Sequence, residues 1–328
     1  LACGPIGGEE MEVATVQPSP AGRCGDGVCD ERELQDVSLC PQDCPASPSP
    51  TTAATPAPDQ DGDIPFAEID GVQLALNAYL PDAPGPYPAV ILIHGGYFQT
   101  GDKMNHRGLG EKMASWGYAA FAIDYRLAPE DPFPAAVADV QCAVAWVRAH
   151  ADGYGVDPDR IALLGTSAGG HLAALAGLAA APSAPAAPWQ HSCGEPGVDV
   201  RVQGVISLFG PLDLAFQAQE GVALRTWLPS WASRARQDAP DLCASASPIT
   251  YAIGDAPPAL LIHGTADDVV SCENSERMVA ALQAAGARAI YLPVEGAQHS
   301  FIFKFQTAEA QVALNGIEDF LAEALSAD

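Results

Sequence analysis

Ser167 stands in Gly165-Thr-Ser167-Ala-Gly169, directly after the apolar run Ile161-Ala-Leu-Leu164 and directly before an Ala-rich stretch, residues 168–180. Small residues two before and two after a serine let the chain turn sharply from strand to helix, which pushes the hydroxyl out above a sheet edge. A serine hydroxyl is a weak nucleophile until a base takes its proton. The expected base is His299, in the loop Gly296-Ala-Gln-His299-Ser-Phe301 between the last apolar strand and the closing helical stretch. An acid must then fix the tautomer of that imidazole. Asp267, in His263-Gly-Thr-Ala-Asp267-Asp268, lies just past a buried strand and is favoured over its neighbour Asp268, because Val269 and Val270 then return to the core. The order nucleophile, acid, base suits a strand-turn-helix serine site. Donors for a developing oxyanion are expected from Ile93-His94-Gly95-Gly96-Tyr97-Phe98, where glycines permit close backbone approach. The N–H groups of Gly96, Tyr97 and Ala168 would donate, while His94 and Gly95 shape the loop. Such a set transfers an acyl group to serine and then to water, and it calls for no cofactor.

Elements to position these residues are legible from Ile64 onward. Strands are expected at Val72 to Tyr79, Pro88 to His94, Tyr118 to Asp124, Ile161 to Leu164, Val205 to Phe209, Ala259 to His263 and Ala289 to Leu292. Helical stretches alternate with them at about 108–116, 134–151, 168–180, 274–284 and 308–325. In the second, Val137, Val140, Val144 and Val147 recur every three or four residues and mark a buried stripe. Alternation of this kind predicts an α/β class with a mostly parallel central sheet covered by helices on both faces. Stretches 181–200 and 213–250 read as irregular and follow strand ends, where a substrate crevice is built. Their aromatic residues Trp189, Phe216, Trp227 and Trp231, together with Tyr97, are the expected substrate contacts. Of the other histidines, His94 and His263 read as structural groups ending strands and His171 as a brace for the elbow. His106, His150 and His191 read as surface residues.

Forty-one acidic residues against fifteen Lys and Arg give a net charge of -26, and no basic cluster interrupts it, which excludes a general nucleic-acid surface. No apolar run approaches the ~20 residues of a membrane-spanning helix. The 328 residues divide into a polar leader at 1–23, a module at 24–44, a Pro/Ala/Ser/Thr-rich linker at 45–60 and a large body at 61–328. The module packs Cys24, Cys29, Cys40 and Cys44 into a segment too short to bury a core, so two disulfides are expected to staple it. Its acidic residues, Asp26, Asp30 and Glu31 among them, offer hard oxygens, and a structural calcium is expected there. In the body, Cys193 and Cys243 bracket much of the irregular region and are candidates for a bridge, with Cys142 and Cys272 left to pair otherwise.

The motifs His94-Gly-Gly-Tyr97, Asp124-Tyr-Arg-Leu-Ala-Pro-Glu130, Asp157-Pro-Asp-Arg160, Gly165-Thr-Ser-Ala-Gly-Gly-His171, His263-Gly-Thr-Ala-Asp267 and His299-Ser-Phe301 resemble the α/β-hydrolase superfamily, in its hormone-sensitive-lipase and carboxylesterase branch. The resemblance covers about residues 65–326. Tyr97-Phe-Gln-Thr-Gly-Asp102 is most similar to the acetyl-xylan esterases, feruloyl esterases and arylformamidases. This resemblance implies a serine esterase removing O-acetyl or feruloyl groups from plant polysaccharide; the alternatives are an arylformamidase, a general small-ester carboxylesterase, or a non-catalytic adhesion or scaffold protein with the same fold. It further implies structural roles for Asp124 and Glu130, with Arg126 paired to one of them. The Cys-Gly-Asp-Gly module resembles those of exported myxobacterial proteins, and Leu1-Ala-Cys3-Gly resembles the end of a lipoprotein signal. Both imply export, either secreted or held at the bacterial outer membrane by a lipid on Cys3, with a neutral esterified polysaccharide or a small ester as partner.

Overall fold

The computed structural model describes residues 62–327, apart from 188, 190–192, 196 and 221–239. All of them belong to the compact unit Thr55–Asp328. Cys3, the leader, the cysteine module and the linker lie outside the described residues. The structural calcium expected at Asp26, Asp30 and Glu31 is corrected: those positions are outside the described residues, and among the described residues no group of three or more His, Cys, Asp or Glu could hold a metal ion. Calcium needs six to eight oxygens converging on one point. Here acids are instead paired with cations, Asp124 with Lys103 at 2.8 Å and Asp139 with Arg126 at 2.7 Å.

Eight strands form one sheet in the order β1-β2-β4-β3-β5-β6-β7-β8. They are β1 Ile64–Ile69, β2 Val72–Tyr79, β3 Tyr87–Ile93, β4 Ala119–Ile123, β5 Val156–Thr166, β6 Gly204–Leu208, β7 Ala259–Gly264 and β8 Ala289–Val294. Strands β3 to β8 are parallel, while β2 runs antiparallel to both β1 and β4. The reading of the sequence began the sheet at Val72 and missed β1. Asp70-Gly71 carried the signal: both have positive φ, 53° and 82°, the two-residue turn that matches the twist of a hairpin.

Side chains of the central strands alternate between two cores. In β3, Ala89, Ile91 and Ile93 join one core and Val90 and Leu92 the other. Helices α1 Arg107–Ser115 and α5 Ala308–Ala324 cover the second; α2 Ala135–Ala149, α3 Ala168–Ala179 and α4 Glu273–Ala285 cover the first. Val137, Val140, Val144 and Val147 of α2 are all buried, as their spacing predicts. Short helices Leu214–Glu220 and Pro240–Ser245 occupy parts of the region read as irregular. No helix among the described residues is long and apolar enough to cross a membrane. Since β3 to β8 are parallel, the loops leaving their carboxyl ends share one sheet edge, and these loops carry Ser167, Asp267, His299 and the Gly95–Tyr97 turn.

Two pairings differ from expectation. Arg126 pairs with Asp139 of α2, not with Asp124 or Glu130. The Asp139 side chain is fully covered, and a bidentate guanidinium is the partner that satisfies a carboxylate removed from water. Among the described residues a disulfide joins Cys142 to Cys193, not Cys193 to Cys243. Cys142 is buried on α2, so the bridge ties the segment after α3 down onto that helix.

Candidate active site

Ser167 occupies the turn between β5 and α3 with φ 54° and ψ -118°, a conformation that costs a non-glycine residue about 1–3 kcal/mol. The surroundings hold it there. Its N–H donates to the Leu208 carbonyl on β6 at 2.8 Å, and its carbonyl accepts from the His171 N–H at 3.0 Å. The flanking glycines are required by close approach. A Cβ on Gly165 would lie 2.0 Å from the Gly169 carbonyl oxygen, and one on Gly169 would lie 1.9 Å from that of Ile93. The elbow therefore packs backbone against backbone, with the hydroxyl as its protruding group.

His299 follows β8, and its ring reaches both expected neighbours. Nε2 lies 3.0 Å from Ser167 Oγ and Nδ1 lies 2.7 Å from Asp267 Oδ2. An ionised carboxylate only accepts, so Nδ1 carries the proton and Nε2 turns its lone pair to the serine O–H. Asp267 meets the ring, while Asp268 beside it is exposed. Burial by itself would raise the Asp267 carboxyl, but hydrogen bonds from His263 and His299, with the backbone N–H of Val270, hold it well below the usual carboxylate range.

The loop after β3 lies against this row. A Cβ on Gly95 would stand 3.2 Å from Ser167 Cβ, so the Gly95 backbone borders that serine directly. Gly96, Tyr97 and Phe98 all have positive φ, and the N–H groups of Gln99 and Thr100 turn back onto the Gly96 carbonyl. Phe98 is buried and Tyr97 is exposed. Ala168 begins α3, where first-turn N–H groups have no partner within the helix. His94 donates through Nδ1 to the Gly95 carbonyl at 2.7 Å and stacks on Tyr125, whose hydroxyl donates to the His94 carbonyl.

The aromatic residues expected at the crevice are placed otherwise or lie outside view. Trp189 is 7% exposed, donates its indole N–H to Gln141 at 3.2 Å and meets Phe133 and Tyr251 edge-on, so it packs in the core rather than at an open surface. Phe216 is half-buried under the Arg277 guanidinium, 4.7 Å from its ring centroid. Trp227 and Trp231 lie outside the described residues. The structure adds Phe209, whose ring meets the His299 ring edge-on with the centroids 4.7 Å apart. Nothing in the sequence pattern marks it, since it reads as the last residue of a buried strand.

His106, read as a surface residue, is 1% exposed, with Nε2 3.3 Å from Thr166 Oγ1 and its ring edge-on to Phe303. His171 is fully buried, its Nδ1 2.6 Å from the Pro211 carbonyl. Burial lowers His106 to about 3 and His171, against two carbonyl acceptors, to about 4, from an ordinary 6.5. Unfolded chains bind these protons below pH 6.5 and the folded chain does not. Each ring's contribution is thus complete above pH 6.5 and lost as pH falls toward 4 and then 3, at up to about 1.4 kcal/mol per pH unit. Thermal unfolding is expected to show Tm falling between pH 6.5 and 5, before most carboxylates titrate, and His106→Asn is expected to flatten that slope. A Tm independent of pH in this window would contradict the assignment of both rings as neutral.

The BD-FAE family model matches residues 76–282. The chain is 34% identical over 267 residues to Esterase LipQ of Mycobacterium tuberculosis, covering 80% of this chain and 62% of that one. It is 32% identical over 288 residues to a probable carboxylic ester hydrolase of the same organism, LipM, covering 83% and 65%. The chain thus spans less than two thirds of the length of these curated relatives. Among solved structures it is similar to a thermophilic esterase of the Planctomycetes species Thermogutta terrifontis, Est2 in its propionate-bound form. That match has a TM-score of 0.66 and 29% identity, covering 83% of this chain and 98% of that one.

Proposed function

Because the chain belongs to the BD-FAE family, among the serine esterases of the α/β-hydrolase fold, we propose that it hydrolyses carboxylic esters through an acyl-enzyme on Ser167. The observation that carries this reading is the unbroken row Ser167 Oγ, His299, Asp267, at 3.0 and 2.7 Å. His299 takes the hydroxyl proton as Ser167 attacks the ester carbonyl. Asp267 keeps the ring in the tautomer that can accept it and stabilises the imidazolium that forms. The N–H groups of Gly96, Tyr97 and Ala168 are the proposed donors to the tetrahedral oxygen, each contributing about 3 kcal/mol or more to transition-state stabilisation. His299 returns the proton to the departing alcohol, then removes one from the water that releases the acid.

The proposed acyl groups are acetyl or feruloyl, carried on plant polysaccharide. A short acyl chain is supported by the propionate bound in the Planctomycetes relative. A neutral polymer is supported by the charge of -26, which repels polyanions. Export is supported by the Cys142–Cys193 disulfide, a bond favoured in oxidising compartments, and a lipid at Cys3 would hold the protein at the surface. The deciding measurement is acid release from acetylated xylan, feruloylated arabinoxylan, N-formylkynurenine and short nitrophenyl esters. Highest kcat/KM on one of the two polysaccharides is expected. Preference for N-formylkynurenine would replace this reading by an arylformamidase, and preference for free nitrophenyl esters by a small-ester carboxylesterase.

A further inference from the structure

We propose that His263 is a positioning residue for this site: its imidazole, fixed by Ser275, donates to the same carboxylate oxygen of Asp267 that His299 uses. The inference rests on the functional reading above and extends it to a second histidine. His263 is the penultimate residue of β7, and its side chain is fully covered, as is that of Asp267. Its Nε2 lies 2.9 Å from the Val270 carbonyl oxygen and 3.3 Å from Asp267 Oδ2. Both are acceptors while Asp267 is ionised, so Nε2 bears the hydrogen and shares it between them. On the other side of the ring, Nδ1 lies 2.8 Å from Ser275 Oγ on α4, itself buried, and with the hydrogen on Nε2 it accepts a hydrogen bond from that hydroxyl.

Asp267 then has four donors for its roughly four lone-pair directions. Oδ1 accepts from the N–H groups of Val269 and Val270 at 2.9 and 3.0 Å, and Oδ2 accepts from His299 and His263. Two consequences follow. The carboxylate cannot rotate without breaking a hydrogen bond, so the direction from which His299 is held is set. Oδ2 is also shared, so losing His263 leaves that oxygen to His299 alone. Of the other charged groups packed here, Asp213 in the loop after β6 is buried and paired with Arg277 at 2.8 Å, while Asp268, Glu273, Glu276 and Glu295 are exposed.

The test compares His263→Leu, which cannot donate, with His263→Gln, whose amide N–H can take the place of Nε2–H, and with Ser275→Ala, which frees the tautomer. The readouts are kcat and KM on a short nitrophenyl ester, the pH profile of kcat/KM, and the low-field proton resonance of the His299–Asp267 hydrogen bond. For His263→Leu we expect kcat to fall roughly ten- to a hundredfold, the range of one hydrogen bond to a charged group, with KM little changed. The acid limb of kcat/KM moves to higher pH and the proton resonance moves further downfield. Gln restores both toward wild type, and Ser275→Ala moves them in the direction of Leu. A folded Leu variant with an unmoved acid limb and an unmoved resonance overturns the proposal. If the Leu variant does not fold, an unmoved resonance in Ser275→Ala overturns it equally. The resonance is read whether or not any ester turns over, so a wild type inert on every ester rejects the functional reading and leaves this one to the spectrum.

Discussion

Ser167→Ala is expected to lower kcat on the true substrate by at least about a thousandfold, equivalent to ~4 kcal/mol of transition-state stabilisation. The substitution removes one oxygen and keeps Cβ, so the strained turn at φ 54° and its hydrogen bonds to Leu208 and His171 remain. Tm should therefore stay at or near the wild-type value, which separates loss of the nucleophile from loss of the fold. Any residual activity is expected to come from water attack aided by the proposed backbone donors. Covalent labelling by a serine-directed fluorophosphonate should disappear with the hydroxyl. Full turnover by the alanine variant would reject Ser167 as the nucleophile, and a folded wild type that resists labelling would favour a scaffold that only retains the fold.

Asp267→Asn should be the second severe lesion, at roughly ten-thousandfold in kcat, because it reverses the hydrogen-bond polarity at one end of the row. The backbone N–H groups of Val269 and Val270 already claim Oδ1, which leaves the amide nitrogen where Oδ2 receives His299 and His263. An N–H then faces two N–H groups. His299 can meet the amide only through a bare Nδ1, which puts its proton on Nε2 and leaves it unable to accept from Ser167. Substrate binding does not involve this carboxylate, so KM should change little. Asp268→Asn, at an exposed position, should behave as wild type. Equal losses at the two positions would mean that the rate depends on the charge of the loop rather than on the contact with His299.

Local pattern settles a good deal here. Valines spaced along α2, apolar runs in β3 and β4, and the small residues around Ser167 each state a requirement that neighbours in sequence can meet. Where pattern misled, the deciding partner was distant. His106 has the polarity of a surface residue, but Thr166 and Phe303 close over it. Trp189 stands in an Ala- and Pro-rich stretch without periodicity, and the bridge from Cys193 to Cys142 draws that stretch onto α2 beside Gln141. His263 does end a buried strand, and its spacing of four from Asp267 was visible. Its donation to that carboxylate depends on Ser275 and on the path of Val270, which no spacing reports.

The sequence by itself determined the alternation of strands and helices, the strained turn that exposes a serine, and the residue types available at each loop, because these follow from periodicity and from the bulk of adjacent side chains. Tertiary structure decided how many donors Asp267 holds, that Arg126 pairs with Asp139 and which cysteines join. The contacts that settle this join residues 13 to 51 positions apart, Arg126 to Asp139, Asp267 to His299 and Cys142 to Cys193. A hydrogen bond is decided within tenths of an ångström, and only the packed sheet, by bringing the ends of parallel strands to one edge, sets positions that finely.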